Sequence, residues 1–227
     1  MKRMRLWAVV AGIALFLAMG VSARADDVNA SFTIDIPNSQ LAGTPGPYAA
    51  VSLHLNGSGG IDVTVTMLSG QGSTQFNMFG PGAGPNNGAF GFNVAGGLTG
   101  ADVTVANLVA SNGSTLTAMG PGQMDGFGNF DVTIMDGGPN QSLYSMSFTV
   151  TLDGGSFNSV QQLVDTSCGG EFCGAHFAVH VSPGPNIPTG FAGDGGTPVP
   201  EPATLTLLGT GLLGLGGVIR KRLGKKA

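Results

Sequence analysis

Four segments of the chain alternate apolar and polar residues, and they set the first expectation for the fold. They are SFTIDI (residues 31–36), IDVTVTM (61–67), NFDVTIM (129–135) and LYSMSFTVTLD (143–153). Every second residue is apolar, often aromatic or β-branched, and the longest segment places Tyr144 on its apolar face. Alternation of this kind is typical of antiparallel strands with one buried and one exposed face.

Clusters of Gly, Pro, Asn and Ser separate these segments, as in GPGAGPNNG (residues 80–88) and DGGPNQ (136–141). Such clusters favour tight turns. Only SFNSVQQLVD (156–165) has a helical pattern, with a Ser or Asn cap and two turns. We therefore predict an all-β fold, a single antiparallel β-sandwich or jelly-roll domain over residues 26–182. The Pro/Gly-rich residues 183–199 lack alternation and are predicted to be a linker.

The N-terminus has the three-part pattern of a secretory signal peptide. Three basic residues precede an apolar stretch over residues 6–19, and the small-x-small sequence ARA then ends at Ala25. We predict a signal helix within residues 1–25 and cleavage between Ala25 and Asp26. A permanent anchor is less favoured, because the apolar stretch is shorter than the roughly 20 residues that a bilayer span needs.

The C-terminal residues 200–227 contain a second apolar run and then a basic cluster. Residues 203–219 are apolar and, as a helix, extend about 26 Å, just enough to cross the hydrocarbon core of a bilayer. Arg220, Lys221 and Arg222 follow directly. By the positive-inside rule they stop translocation and leave the C-terminus on the cytoplasmic side. We predict a transmembrane helix over residues 203–219.

The triplet Pro200-Glu201-Pro202 stands immediately before this run. Triplet, apolar run and basic cluster, in this order, resemble the PEP-CTERM sorting signal of Gram-negative bacteria. The resemblance implies that an exosortase, a membrane-embedded cysteine protease, recognises the triplet and processes the tail. It also implies a destination at the cell surface or in the extracellular polysaccharide matrix. Two Pro residues around a carboxylate favour an extended, stiff segment, which suits such recognition. An ordinary C-terminal anchor is the alternative.

Charge is distributed very unevenly along the chain. All nine Lys and Arg residues lie before residue 26 or after residue 200, whereas eleven Asp residues and Glu171 lie between, which gives the body a formal charge of −12. Binding of nucleic acid depends on Lys and Arg that neutralise phosphates. We therefore expect no nucleic-acid partner, and no catalytic site that clamps an anion with Arg or Lys.

Two cysteines, Cys168 and Cys173, are separated by four residues. In an exported chain such a pair favours a disulfide bond. The spacing is not the Cys-x-x-Cys of redox proteins, and no second pair of ligands accompanies it to form a structural zinc site. We predict a disulfide that closes a short loop.

Histidines and Asp-Gly pairs are the remaining candidates for a site. His176 and His180 share one face of a predicted strand but lie about 13 Å apart along it, too far to share a metal ion comfortably. His54 is on the polar face of another strand, so we expect all three to be surface or hydrogen-bonded residues. Asp136, Asp153 and Asp194 each precede Gly, a pattern that turn chemistry explains. We expect no cofactor and no metal site; calcium in the acidic body stays open as an alternative.

The sequence thus predicts an exported, non-enzymatic protein with a structural or adhesive role in the cell envelope or extracellular polysaccharide matrix. Its expected partners are an exosortase-type protease, the membrane and extracellular polysaccharide. A carbohydrate-binding module is the alternative, and it requires exposed aromatic residues on one sheet face. A secreted hydrolase, with Asp131 and either Asp125 or Glu171 as a carboxylate pair, is less favoured because nothing in their spacing selects them from the other acids.

Overall fold

The computed structural model describes residues 28–69, 76–79, 88–136, 142–169, 171–184, 187–195 and 199–200. These residues form antiparallel β-sheets with almost no helix, so the all-β prediction is confirmed. The predicted helices within residues 1–25 and over 203–219 lie outside the described residues. Among the described residues the helices are three short 3₁₀ turns: Ser39–Leu41, Gly100–Asp102 and Val160–Leu163.

Six strands form the first sheet, in the spatial order β18-β1-β3-β4-β13-β7. Most of its strands have one buried and one more exposed face, as alternation predicts. The central strand β4 coincides with one predicted segment. The bounds are β1 (Asn29–Ile34), β3 (Ala49–Leu55), β4 (Ile61–Met67), β7 (Val103–Ala110), β13 (Ser145–Leu152) and β18 (Val199–Pro200).

Eight strands form the second sheet, in which β12-β5-β16-β6-β11-β8 are neighbours and β17 pairs with both β16 and β2. Its central strand β16 is buried at every residue. The bounds are β2 (Ile36–Pro37), β5 (Asn77–Phe79), β6 (Phe90–Phe92), β8 (Leu116–Met119), β11 (Val132–Asp136), β12 (Ser142–Leu143), β16 (Phe177–Ser182) and β17 (Gly190–Gly193). Two hairpins complete the fold: β9 (Gly122–Met124) with β10 (Gly128–Phe130), and β14 (Ser167–Gly169) with β15 (Phe172–Ala175).

The two large sheets share one hydrophobic core. Its contacts are strongly aromatic: the Phe177 ring of β16 lies 4.8 Å from that of Phe32 in β1, in an edge-to-face arrangement. The Phe148 ring of β13 lies 5.8 Å from that of Phe92 in β6. Aromatic pairs in such geometries add to the free energy gained by burying their area. The inner faces of both sheets therefore form one continuous core.

Three of the four predicted strands are interrupted, two of them at an aspartate and the third at Tyr144. At Asp35 the chain passes from β1 in the first sheet to β2 in the second. At Asp131 it passes from β10 to β11, and the Asp131 carboxylate accepts a hydrogen bond from the backbone N–H of Val94 (3.1 Å). Period-two alternation continues through both positions, so the sequence does not show that the strand changes sheet.

Two further expectations are wrong. Tyr144 lies in a bend between β12 and β13 and is 46% exposed, so it does not belong to the apolar face of β13. The two-turn helix predicted over residues 156–165 is a single 3₁₀ turn, capped by the Ser159 side chain. Val160 and Leu163 are fully buried three residues apart, a spacing that matches the three residues per turn of a 3₁₀ helix.

Candidate sorting and processing site

The outer edge of β1 is fixed by the way this strand pairs with β3. The N–H of Leu55 donates to the carbonyl of Val28 (2.7 Å), opposite it in the ladder. Bonded and non-bonded pairs alternate along an antiparallel ladder. The even-numbered residues of β1 therefore bond to β3, whereas the N–H and C=O of Ser31 point to the opposite edge.

The first residues of the predicted sorting signal lie on this edge. β18 pairs with β1 so that Val199 is opposite Ser31 and Pro200 is opposite Ala30. Ala30 directs its hydrogen-bonding groups toward β3, so the missing N–H of Pro200 costs no ladder bond. Val199 is then the residue that exchanges hydrogen bonds with Ser31. The sequence Val-Pro fits this register. A shift of β18 by one residue would place Pro200 opposite Ser31, where its missing N–H would cost a ladder hydrogen bond.

The chain is anchored in the domain shortly before it reaches this edge. Asp194, 1% exposed, accepts hydrogen bonds from the backbone N–H groups of His176 (2.8 Å) and Phe177 (2.7 Å). Its second carboxylate oxygen pairs with Nδ1 of His176 (2.7 Å). This corrects two expectations. Asp194 is a buried acceptor rather than a turn residue, and the predicted linker over 183–199 contains β17, which pairs with both β16 and β2.

Most residues of the predicted signals lie outside the described residues. This holds for Ala25 and Asp26, for Glu201 and Pro202, and for the basic cluster Arg220, Lys221 and Arg222, which stay predictions. The described part of the chain has no helix with the length and apolarity that a bilayer crossing requires.

The predicted disulfide between Cys168 and Cys173 is confirmed, and it closes the β14–β15 hairpin. This hairpin is tied to two other parts of the fold. The N–H of Glu171 donates to the carbonyl of Gly126 (3.0 Å), and the Glu171 carboxylate accepts from the N–H (2.9 Å) and the hydroxyl (2.6 Å) of Ser39. The disulfide therefore stabilises a hairpin that connects the β9–β10 turn with the Ser39–Leu41 turn.

The three histidines have different environments. His54 Nδ1 lies 2.6 Å from Oδ1 of Asn29 on the exposed face of the first sheet. His176 is held by Asp194. His180 is buried, with its ring stacked 4.5 Å from that of Phe191. The expectation of surface or hydrogen-bonded histidines therefore describes His54 and His176 but misses the burial of His180.

A second hydrophobic cluster explains this burial, and sequence reasoning missed it. It covers the outer face of the eight-stranded sheet, and glycines make room for it: a Cβ at Gly193 would lie 2.6 Å from the Phe127 ring, and one at Gly91 would lie 3.0 Å from Phe130. Asn38, 1% exposed, supports the cluster by pairing through its side-chain carbonyl with the N–H of Phe191 (3.1 Å). The buried members of this second cluster are Met124, Phe127, Phe130, Ala175, Ala178 and Phe191.

Several carboxylates in the described residues accept hydrogen bonds from the protein's own groups. Asp125 accepts from the Gln40 amide (3.0 Å), and Asp153 accepts from the Thr104 hydroxyl (2.8 Å). Asp102 caps the Gly100–Asp102 turn, where hydrogen bonds from Thr99 lower the pKa of the Asp102 carboxyl. Among the described residues, no three His, Cys, Asp or Glu side chains are grouped so that they could hold a metal ion.

Comparison with known proteins identifies the C-terminal segment. Residues 198–222 match the family model of the PEP-CTERM protein-sorting motif, a span that contains both the Pro200-Glu201-Pro202 triplet and the basic cluster. No curated protein and no solved structure matches the chain significantly. The motif implies export, sorting to the surface and processing by an exosortase, a membrane protein. The chain thus carries, directly behind its β-sheet domain, the sorting motif of PEP-CTERM proteins, the substrates of exosortases.

Proposed function

We propose that this protein is a non-enzymatic β-sandwich protein of the cell surface, with a structural or adhesive role in the envelope or the extracellular polysaccharide matrix. The observation that carries the proposal is the PEP-CTERM match over residues 198–222, which begins four residues after the buried anchor Asp194. The signal peptide is removed before Asp26, and an exosortase processes the tail at Pro200-Glu201-Pro202.

The packing of the sheets supports the β-sandwich. Phe32 and Phe148, from the first sheet, pack against Phe177 and Phe92, from the second, within one core. Two antiparallel sheets packed face to face are the layer arrangement of a sandwich.

The roles of the carboxylates support a non-enzymatic protein. A carboxylate pair of a glycosidase needs side chains that face a common substrate. Asp131 instead accepts from the Val94 backbone, whereas Asp125 and Glu171 accept from Gln40 and Ser39 in the Ser39–Leu41 turn. Asp131 therefore serves a different part of the fold from either candidate partner. Each of these interactions stabilises a turn or a strand end.

The exposed face of the six-stranded sheet supports a role within a hydrated matrix. Small hydroxyl side chains form a row that crosses four strands: Ser31, Ser52, Thr64 and Ser147 are successive partners in the ladder. The nearby Asp62 carboxylate accepts from Thr149 (2.8 Å) and from Asn56 (3.0 Å). With neither Lys nor Arg between residues 26 and 200, the domain offers hydroxyl groups rather than cations to a partner.

The same row is the observation that favours a carbohydrate-binding module as a second candidate. Hydroxyl groups can hydrogen-bond to sugars, but sugar-binding sites also use aromatic rings for contact area. Tyr48 is fully buried, which leaves Tyr144, at the end of β12, as the exposed tyrosine. A binding assay with neutral polysaccharides tests this candidate. If the protein is a carbohydrate-binding module, the parent chain should bind saturably and Tyr144→Ala should bind more weakly.

Terminal-peptide mass spectrometry on native cells, separated into envelope and medium, tests the proposed sorting. The parent chain should begin at Asp26 and end near Pro200. Glu201→Gln should keep the unprocessed tail and stay in the membrane fraction, because the charge of the triplet is removed without any change in the proline-restricted backbone.

Pro188→Ala is the matched control, since Pro188 is exposed and lies outside the matched residues. It should be processed like the parent. A parent chain that still ends at Ala227 in the envelope would mean that the tail is a plain anchor.

A further inference from the structure

Prolines alternate with other residues through the start of the sorting motif. Residues 197–202 read Thr-Pro-Val-Pro-Glu-Pro, so Pro stands at every second position. In an extended strand, successive N–H groups point to opposite edges. An extended segment of this sequence therefore carries all of its N–H donors on one edge and none on the other.

The donor-bearing edge is the one that faces β1. Val199 pairs with Ser31, whose N–H and C=O point away from β3, and Pro200 occupies the non-bonded position opposite Ala30. Among the strands that the structure describes, β18 is also the outermost of the six-stranded sheet. Its free edge presents the Pro200 carbonyl without an N–H beside it. A further strand cannot form a regular ladder there, because proline supplies no donor.

The alternating prolines limit how an enzyme can pair with the backbone of the motif. Proteins that bind an extended peptide by backbone pairing add it as a strand to an open sheet edge. For this motif, regular pairing needs the edge that carries the N–H groups, and β1 already holds that edge. An enzyme that binds the motif in this way would therefore need the same hydrogen-bonding groups as the domain.

We propose that the outer edge of β1 is a latch for the chain's own sorting motif and competes with the exosortase for it. Within the described residues the latch consists of two pairs, Ala30 with Pro200 and Ser31 with Val199. It opens reversibly, because each backbone hydrogen bond contributes modestly to stability, and breaking one shifts the equilibrium about fivefold. This inference rests on the proposed sorting function and adds a regulatory role for the folded domain.

Hydrogen exchange tests the latch without the enzyme. In the full chain, held in detergent, the amide of Val199 should exchange about fivefold or more slower than a free amide of the same sequence. Ser31→Pro removes the N–H that donates to the Val199 carbonyl and should lower this protection about fivefold, because the Val199 amide keeps only the Ser31 carbonyl as its acceptor. An edge strand tolerates proline where its N–H faces outward. Free exchange at Val199 in the parent chain overturns the proposal.

The rate of processing in cells tests the competition, first with a variant that weakens the latch and then with one that locks it. Ser31→Pro should speed conversion of the unprocessed chain in a pulse-chase experiment, about fivefold for one lost bond. Ser31→Ala is the matched control: it removes the same side chain but keeps the backbone N–H that faces Val199. It should be processed at the parent rate.

A disulfide across the latch should have the opposite effect. Ser31→Cys with Val199→Cys leaves Pro200-Glu201-Pro202 intact and joins two residues at the spacing of a bonded pair, about 5.5 Å between Cα atoms, within the range of a disulfide. The locked chain should remain unprocessed, and reductant should restore processing. Each single-Cys variant, and the parent treated with the same reductant, should be processed normally.

The two proposals fail in different ways. If the parent chain is never processed, the sorting function falls. If the parent is processed and the locked chain is processed equally fast, sorting stands but the latch falls, and the enzyme reads the motif while it is paired with β1.

Discussion

Strands β4 and β16 are both central in their sheets, yet one has an exposed face and the other does not. In β4 the side chains alternate between the core and the surface, with Val63 and Val65 buried and Thr64 exposed. In β16 every residue is buried, His180 and Ser182 included. The difference arises from the second cluster, which covers the outer face of the eight-stranded sheet. One sheet therefore has a surface available for partners, whereas the other is buried on both faces over its centre.

The largest expected effects come from removing one ring on each side of the eight-stranded sheet. Phe177 faces the main core, 5.9 Å from Phe90 by ring centroid, and Phe191 faces the second cluster. Phe177→Ala should lower the free energy of unfolding by about 4 kcal/mol, and Phe191→Ala by about 3 kcal/mol, since the smaller cluster can relax more into the cavity. Urea unfolding measures both. A cost below about 1 kcal/mol at Phe191 would mean that the outer face is only loosely covered.

The next comparison is between the stability contributions of two aspartates that each precede a glycine. Asp194→Ala should cost about 3 kcal/mol, because the buried N–H groups of His176 and Phe177 lose their acceptor. Asp153→Ala is the matched control. Asp153 is exposed and accepts from the Thr104 hydroxyl, so its loss should cost less than about 1 kcal/mol. Equal losses in urea unfolding would contradict the buried role of Asp194.

These two aspartates also show where sequence reasoning succeeds and where it stops. Each aspartate precedes a glycine and therefore looks like a turn residue. The dipeptide carries no information about the strand that packs against it after folding. Strands such as β4 were predictable, since their burial follows from local alternation. The second cluster was not predictable: its aromatic residues come from short, Gly-interrupted segments between residues 124 and 191, which meet only after folding. The sorting motif was predictable, because it is defined by the order of residues in one short segment. Its pairing with β1 was not predictable, because it depends on the fold bringing Ala30 to Pro200.

Removal of the disulfide should have an intermediate effect, concentrated near the second cluster. Cys168→Ser with Cys173→Ser should lower the free energy of unfolding by about 2 kcal/mol, through the added freedom of the unfolded chain. Hydrogen exchange should rise at Glu171 and Phe172, whose N–H groups donate to Gly126. Reductant should affect the parent chain in the same way and leave the double variant unchanged. An unchanged unfolding midpoint in the variant would contradict this role.

High pH should act on the main core through Tyr48. Burial, and secondly the charge of Asp35, raise the pKa of Tyr48 above its ordinary value of 10.0. The folded state thus holds the phenol proton more tightly than the unfolded chain, so this contribution to stability is complete below pH 10 and is lost as pH rises through the folded pKa.

Urea unfolding between pH 8 and 11 measures this loss. Tyr48→Phe should be less stable at pH 8, because the hydroxyl no longer donates to the Thr44 carbonyl, but it should lose less stability toward pH 11. Tyr144→Phe, at an exposed position, should follow the parent curve. A Tyr48→Phe curve parallel to the parent would assign the alkaline loss to another group.

The smallest effect should come from the exposed face of β4, and it tests the contrast between the two sheets directly. Thr64→Val leaves the backbone ladder intact and changes one exposed side chain in the hydroxyl row, so the free energy of unfolding should change by no more than about 0.5 kcal/mol. The reverse exchange at the neighbouring buried position, Val63→Thr, should cost about 1–3 kcal/mol, because it buries a hydroxyl in the core. A large loss at Thr64 would mean that this face, like that of β16, is covered. The hydroxyl row would then no longer be a surface on which a matrix partner could bind.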